Sequence, residues 1–259
     1  MPSWTRSWTL PGGPSRLAAS DCILIVLVPP GALRAGDTID LDEDEVHHLR
    51  VRRAIPRSSV DLRDGAGLVG SGELIATDAR RAQVLVNDVT RAPPPEALEL
   101  LVAAGDKERF GWLVEKAAEL GVTRVVPVET ERVRGVASRV TEAQLPRLGR
   151  RALDAIKQSG SAWAPVIMTP VEFERALTQG GAGERWLADA AGDWPSGVDA
   201  ATPLSVLVGP EGGLSESERT SAVAAGWRPT RLGDHVLRFE TAAVAAAMFI
   251  GIARGRGAP

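Results

Sequence analysis

The sequence predicts an α/β protein in which a C-terminal domain with a largely parallel sheet follows a small β-barrel. Three observations carry this reading. Residues 22–91 hold short apolar runs separated by turn signals. Ala92-Pro93-Pro94-Pro95-Glu96 then breaks the pattern with a stiff proline segment, the clearest boundary in the chain. Beyond it, strand-like and helix-like patterns alternate, as they do around a parallel sheet.

Residues 1–20 contain proline, glycine, serine and two tryptophans without periodicity, and are expected to be a disordered extension. The barrel, residues 21–92, is expected from strands at Ile23 to Val28, Thr38 to Leu41, Val60 to Arg63, Gly72 to Ala76 and Gln83 to Val89. Residues 93–97 are the linker, and 98–259 the α/β domain. Leu98 to Ala103 reads as its first strand. Asp106 to Leu120 reads as a helix, because Phe110, Leu113, Val114 and Ala117 share one face at i, i+3, i+4, i+7 and Gly121 stops it. Thr123 to Val128 is the next strand. A helix follows over 142–159, kinked or started by Pro146. Strands at 166–168, 185–189, 204–208 and 229–232, with helices at 171–178, 215–225 and 240–254, complete the alternation.

A chain of 259 residues can bury a substantial core. Its formal net charge of -3 offers no global attraction for nucleic acid, so RNA contacts have to come from local basic patches. Cys22 is the only cysteine, which excludes an intramolecular disulfide and a cysteine-based metal cluster and suits a reducing cytoplasm. The apolar run Cys22 to Val28 is short, ends at Pro29-Pro30 and lacks a small-residue cleavage site, so it reads as a buried strand rather than a signal segment. Thr241 to Ala253 is too short to span a bilayer core of about 30 Å. A cytoplasmic protein without a membrane span or a metal is expected.

The most informative stretch begins where the strand ending at Val208 runs into Gly209-Pro210-Glu211-Gly212-Gly213. Ser215 with Glu218 then forms a capping box that opens a helix. Glycines let the main chain approach a ligand closely, and free N–H groups at the bend and helix start bind polar groups. A second loop of this kind, Leu232-Gly233-Asp234-His235-Val236-Leu237-Arg238, leads into an alanine-rich helix. Gly65-Ala66-Gly67-Leu68-Val69-Gly70 matches the dinucleotide fingerprint, yet the residues after it continue as a strand, so it reads as a glycine-rich hairpin. His47-His48 lacks a third ligand and reads as part of a short helical turn starting at Asp42 to Glu45. Arg50, Arg52, Arg53 and Arg57 follow it as a basic surface, and Arg147, Arg150 and Arg151 share a helix face that could track phosphates. There is no Ser-His-Asp grouping and no Walker A sequence.

The two C-terminal loops resemble those of the bacterial 16S rRNA (uracil-N3)-methyltransferases, members of the SPOUT class. Three further segments agree in order: His47-His48-Leu49-Arg50-Val51; Lys107 with Glu115-Lys116-Ala117-Ala118-Glu119-Leu120-Gly121-Val122; and Ala155-Ile156-Lys157-Gln158-Ser159. The resemblance implies a PUA-like RNA-binding barrel, a SPOUT α/β domain threaded into a deep trefoil knot, S-adenosylmethionine held in that knot, and a homodimer acting on 16S rRNA within the 30S subunit. It implies cofactor contacts from Leu187, Ala188, Val208, Gly209, Glu211, Gly212, Gly213, Leu232, Gly233, Val236, Leu237, Arg238 and Thr241. It further implies RNA contacts from His47, His48, Arg50, Arg52, Arg53, Lys107, Arg147, Arg150 and Arg151. Two departures stand out: Gly160-Ser161-Ala162-Trp163 stands where that family often carries an arginine soon after Gln-Ser, and Ile55-Pro56-Arg57 replaces the usual glycine-containing turn.

Methylation at N3 of uridine places negative charge on O2 and O4 as the imide proton leaves. A nearby cation would stabilise that charge. Arg238 is the candidate for this role, with a structural pairing to Glu211 or Glu240 as its alternative; Glu211 and solvent are the candidate bases. Other SPOUT reactions on RNA, a non-catalytic assembly protein and a nicotinamide enzyme resting on residues 65–70 remain the competing functional readings.

Overall fold

The computed structural model describes residues 24–78, 81–103, 105–179, 183–199 and 201–255; the extension expected over 1–20 lies outside them. The elements run β1 (Ile25–Leu27), β2 (Thr38–Asp40), α1 (Glu43–Val51), β3 (Ser59–Arg63), β4 (Leu68–Thr77) and β5 (Ala82–Arg91). They continue with β6 (Leu98–Val102), α2 (Lys107–Glu119), β7 (Arg124–Glu129), α3 (Leu145–Ser159), β8 (Val166–Ile167), β9 (Val171–Glu172) and α4 (Phe173–Gln179). The last are β10 (Glu184–Asp193), β11 (Leu204–Val208), α5 (Glu216–Ala224), β12 (Arg228–Thr230) and α6 (Phe239–Gly255).

Two sheets result. The first has the order β1-β3-β4-β5-β2, in which the β3–β4, β4–β5 and β5–β2 pairings are antiparallel and β1 is parallel to β3. Its inward residues, among them Val26, Leu62, Leu74 and Val84, form a core of their own with Leu49 of α1. The second sheet has the order β12-β10-β11-β6-β7-β8, with β9 also on β7, and every pairing in it is parallel. Its central strands β6 and β11 are buried along their whole length, so apolar residues fill both faces, and the one polar residue in each, Glu99 and Ser205, bonds the other at 3.1 Å. Phe110 and Leu113 of α2, Ile156 of α3 and Ala243, Ala246 and Ala247 of α6 pack on one face, whereas Phe173 and Trp227 lie in the cluster on the other.

Local chemistry sets the helix ends. Asp106 caps α2 by accepting the Glu108 and Arg109 N–H groups, a contribution of about 1 kcal/mol. Pro146 occupies the first turn of α3 after a 3-10 turn at Glu142–Gln144, and Gly160 ends that helix at φ 75°. Ser215 and Glu218 form the expected capping box on α5.

The helix expected over 171–178 starts later, because Val171–Glu172 is drawn into a short parallel pairing with Val128 and Glu129. The strand expected over 185–189 runs on to Asp193, extended by pairing with β12. The hairpin read at Gly65 to Gly70 is a turn leading into β4, and no helix starts there.

The two sheets are joined by a specific seam. Gly67, at φ 97°, lies against the Trp163 indole so closely that a Cβ there would overlap it. Trp163 Nε1 donates to the Pro93 carbonyl at 3.0 Å, and Arg63 Nε donates to the Gly160 carbonyl at 3.4 Å. Lys157 of α3 pairs with Glu45 of α1, and Arg150 with Asp44 at 2.9 Å. The Gly160 to Trp163 segment is therefore part of the seam.

Candidate cofactor site

The second sheet is parallel, so the carboxyl ends of its strands and the loops that follow them gather at one edge, where α/β proteins place ligands. There the ends of β10 and β11 and the loop after β12 enclose a cavity of about 290 Å³. That is near the lower end of the ~300–1,000 Å³ range typical of small-molecule sites. Leu187, Ala188, Val208, Gly209, Glu211, Gly213, Leu232, Gly233, Val236 and Leu237 line it, so the two loops singled out in the sequence meet across one space. Gly212, Arg238 and Thr241 are outside this lining. Pro210, Leu214, Phe239, Ala242, Asp189, Ala190, Arg219 and His235 line it too, although none of them was among the contacts expected from the sequence.

The loops are shaped by their glycines. Gly213 takes φ 73° and its N–H closes a turn onto the Pro210 carbonyl at 2.7 Å. A Cβ on Gly209 would press on Leu214, and one on Gly233 would lie 3.3 Å from Leu237 Cδ1. Among the described residues the N–H groups of Glu211, Gly212, Val236 and Leu237 carry no hydrogen bond. The bare main chain can therefore serve the edge of a flat polar ring while Leu187, Val208 and Leu237 cover its faces.

Arg231 fastens the second loop. Its Nε and Nη2 donate to the carbonyls of Gly233 and Asp234 at 3.1 and 3.3 Å, its N–H donates to the Asp193 carbonyl, and its guanidinium stacks 5.3 Å from the Trp194 ring centroid. On the other wall, Asp189 pairs with Arg219 at 2.6 Å. Burial pushes the Asp189 carboxyl up, but the Ala191 N–H and the Arg219 guanidinium outweigh it and hold the group below its usual range. Arg219 is raised in turn by Asp189.

Glu211 is exposed, with Gly105 beside its carboxylate. Arg238 is exposed at the start of α6 and forms no ion pair or side-chain hydrogen bond among the described residues. Glu240, its alternative partner, instead lies 3.9 Å from Arg109.

The residues expected to contact RNA fall into two groups. Arg147, Arg150 and Arg151 are engaged by carboxylates: Arg147 holds Glu108 through two 2.9 Å bonds, Arg150 holds Asp44, and Arg151 lies 3.5 Å from both Glu108 and Glu115. A helix-face repeat reveals that three arginines share a side, but not that acids on α2 and α1 already face them. Lys107 opens α2. On α1 and just beyond it, His47 bonds Arg50 at 2.9 Å. Arg53 and Arg57 adopt φ 54° and 72°, left-handed conformations uncommon for residues with a side chain. His48 is held below its usual range, first by burial and then by Lys157 and Arg52.

Parallel strands whose ends carry two glycine-bearing loops around one cavity define an α/β protein that binds a small organic ligand. The sequence model of the RNA methyltransferase domain matches residues 92–251, which contain this cavity. A ribosomal RNA small subunit methyltransferase E from Mycobacterium bovis is 30% identical over 83% of this chain and 87% of its own. The protein of that name from Aquifex aeolicus is 29% identical over 82% and 93%. The crystal structure of a ribosomal RNA small subunit methyltransferase E from Neisseria gonorrhoeae bound to S-adenosyl methionine superposes with a TM-score of 0.79 at 27% identity, covering 89% of this chain and 97% of that one. The chain belongs to the RNA methyltransferase domain family and, within it, to the ribosomal RNA small subunit methyltransferase E family.

Proposed function

We propose that this chain transfers a methyl group from S-adenosylmethionine to N3 of a uridine in 16S rRNA of the small ribosomal subunit. The observation that carries the reading is that both glycine-bearing loops, distant from β10 in sequence, close over one cavity in a chain of this family. The chain is an S-adenosylmethionine-dependent rRNA methyltransferase; the choice of base and atom is the finer inference.

The cavity fits the cofactor. A Cβ on Gly209 or Gly233 would crowd the loop side chains, and the free N–H groups of both loops suit an adenine edge. Bound there, S-adenosylmethionine supplies an electrophilic methyl on a sulfonium. The chain's own part is to hold the acceptor nitrogen in line with that methyl and to stabilise the charge left on the base. Arg238, exposed and without a carboxylate partner among the described residues, is available to meet O2 or O4. Glu211 is available to take the imide proton or pass it to water. N3 lies on the Watson-Crick edge, so the uridine is engaged unpaired or flipped out.

The five-stranded sheet is read as a PUA-like RNA-binding barrel, with His47, His48, Arg50, Arg52 and Arg53 on its RNA side. The segment 231–238 is read as threaded through the β10–β11 connection in a trefoil knot; the bonds of Arg231 to Asp193 and its stacking on Trp194 support that path. The exposed Met248 and Ile252 on α6 support a homodimer through that helix. No helix among the described residues is long and apolar enough to cross a membrane, and the proposed site of action is the cytoplasmic small subunit.

The test is methyl transfer from radiolabelled S-adenosylmethionine to small subunits from cells lacking this gene, followed by nucleoside digestion. Label in 3-methyluridine supports the reading. Label in another nucleoside keeps the enzyme and replaces the acceptor.

A further inference from the structure

Strand β10 does not follow β12 in one register. Ala188 and Asp193 both lie opposite Thr230, so residues 189–192 bulge out of the ladder between them. Gly192 permits this, since it sits so close to Pro229 and Thr230 that a Cβ would overlap their backbone. Bulges beside a site re-aim side chains. The one re-aimed here is Asp189, which borders the cavity.

Its carboxylate is held at both oxygens. Oδ1 accepts the Ala191 N–H at 2.8 Å, and Oδ2 accepts Arg219 Nε at 2.6 Å. The side chain is only 15% exposed, yet each oxygen keeps a second lone pair. Two adjacent acceptors fixed on the cavity wall suit a ligand that presents two adjacent hydroxyl donors. An ammonium suits the place less well, because the Arg219 guanidinium already balances the carboxylate charge and repels a second cation.

We propose that Asp189 recognises the ribose diol of the bound cofactor and that Arg219 is the positioning residue that orients its carboxylate. This rests on the S-adenosylmethionine reading above. Leu187 and Val208 beside it suit the adenine, which places base and ribose next to each other as they are joined in the cofactor.

Calorimetric titration of the full chain tests this. The ligands are S-adenosylhomocysteine, 5′-deoxy-5′-methylthioadenosine, which lacks the amino-acid end, and the 2′-deoxy and 3′-deoxy forms of the latter. The unmodified protein is expected to lose about tenfold or more in affinity on removal of either hydroxyl, as for a hydrogen bond to a charged group. Asp189→Asn is expected to weaken S-adenosylhomocysteine and methylthioadenosine by similar factors and to become nearly indifferent to the missing hydroxyls. Arg219→Met is expected to weaken both ligands in the parent background and neither in the Asp189→Asn background. Equal affinity of the unmodified protein for methylthioadenosine and both deoxy forms overturns the proposal without involving any variant's folding. So does an Asp189→Asn loss confined to S-adenosylhomocysteine, which would assign the carboxylate to the ammonium. Failure of the unmodified protein to bind S-adenosylhomocysteine at all would sink the cofactor reading, and this proposal with it.

Discussion

Lys157 of α3 and Glu45 of α1 form an ion pair that ties the five-stranded sheet to the parallel one, with side chains only 15% and 3% exposed. Burial pushes the Glu45 carboxyl up, and Lys157 only partly counters it. Lys157→Met leaves that carboxylate buried without its partner and is expected to cost about 3–5 kcal/mol. Adding Glu45→Met should recover most of the loss. Urea denaturation of the two single variants and the double variant checks this; equal losses in the single and double variants would refute it.

His48, beside the same pair, gives the seam a pH dependence. Its folded pKa lies below the ordinary 6.5, so the unfolded chain binds the proton more readily. Stability contributed by the neutral ring is present above 6.5 and falls as pH drops toward the folded value. The stability difference between the parent and His48→Gln, followed from pH 7.5 downward, should shrink or reverse across that window. A difference that stays constant with pH would exclude His48 as the titrating group.

Gly67→Ala should destabilise the molecule by about 2 kcal/mol or more, because a Cβ would collide with the Trp163 indole and φ 97° disfavours any side chain. Thermal unfolding measures it. An unchanged midpoint would mean that Trp163 moves away without loss.

Two substitutions separate binding from chemistry. Gly233→Val crowds Leu237 and should weaken S-adenosylhomocysteine by about tenfold with an unchanged circular dichroism spectrum. Arg238→Ala, outside the cavity lining, should leave that affinity within about twofold and lower kcat by about 10- to 100-fold. If Arg238→Ala changes only KM for the subunit, the residue holds RNA and does not stabilise the reacting base.

Much of the framework was legible because its causes are local. Ser215 with Glu218, and Pro146, act within a turn of their own position, so their spacing announces helix starts directly. The apolar run at Leu204–Val208 announces a buried strand in the same way. The two glycine-bearing loops were legible as chemistry, and the cavity that joins them contains most of the residues read from them. The arginine face of α3 was legible as a face but not as a free one, since Glu108 and Asp44 reach it from other elements.

The sequence by itself determined most of the order of strands and helices, which segments are buried, and which two loops can bare their backbone to a ligand. Tertiary structure alone decided what those elements meet. Asp189 and Arg219 are 30 residues apart, Glu45 and Lys157 further, and Gly67 and Trp163 about as far. Hydrogen-bond periodicity is a property of neighbours along the chain and can be read there. Ion pairs, close packing and the bulge that turns Asp189 toward the cavity depend on distances through space, which exist only once the parallel sheet has brought those segments together.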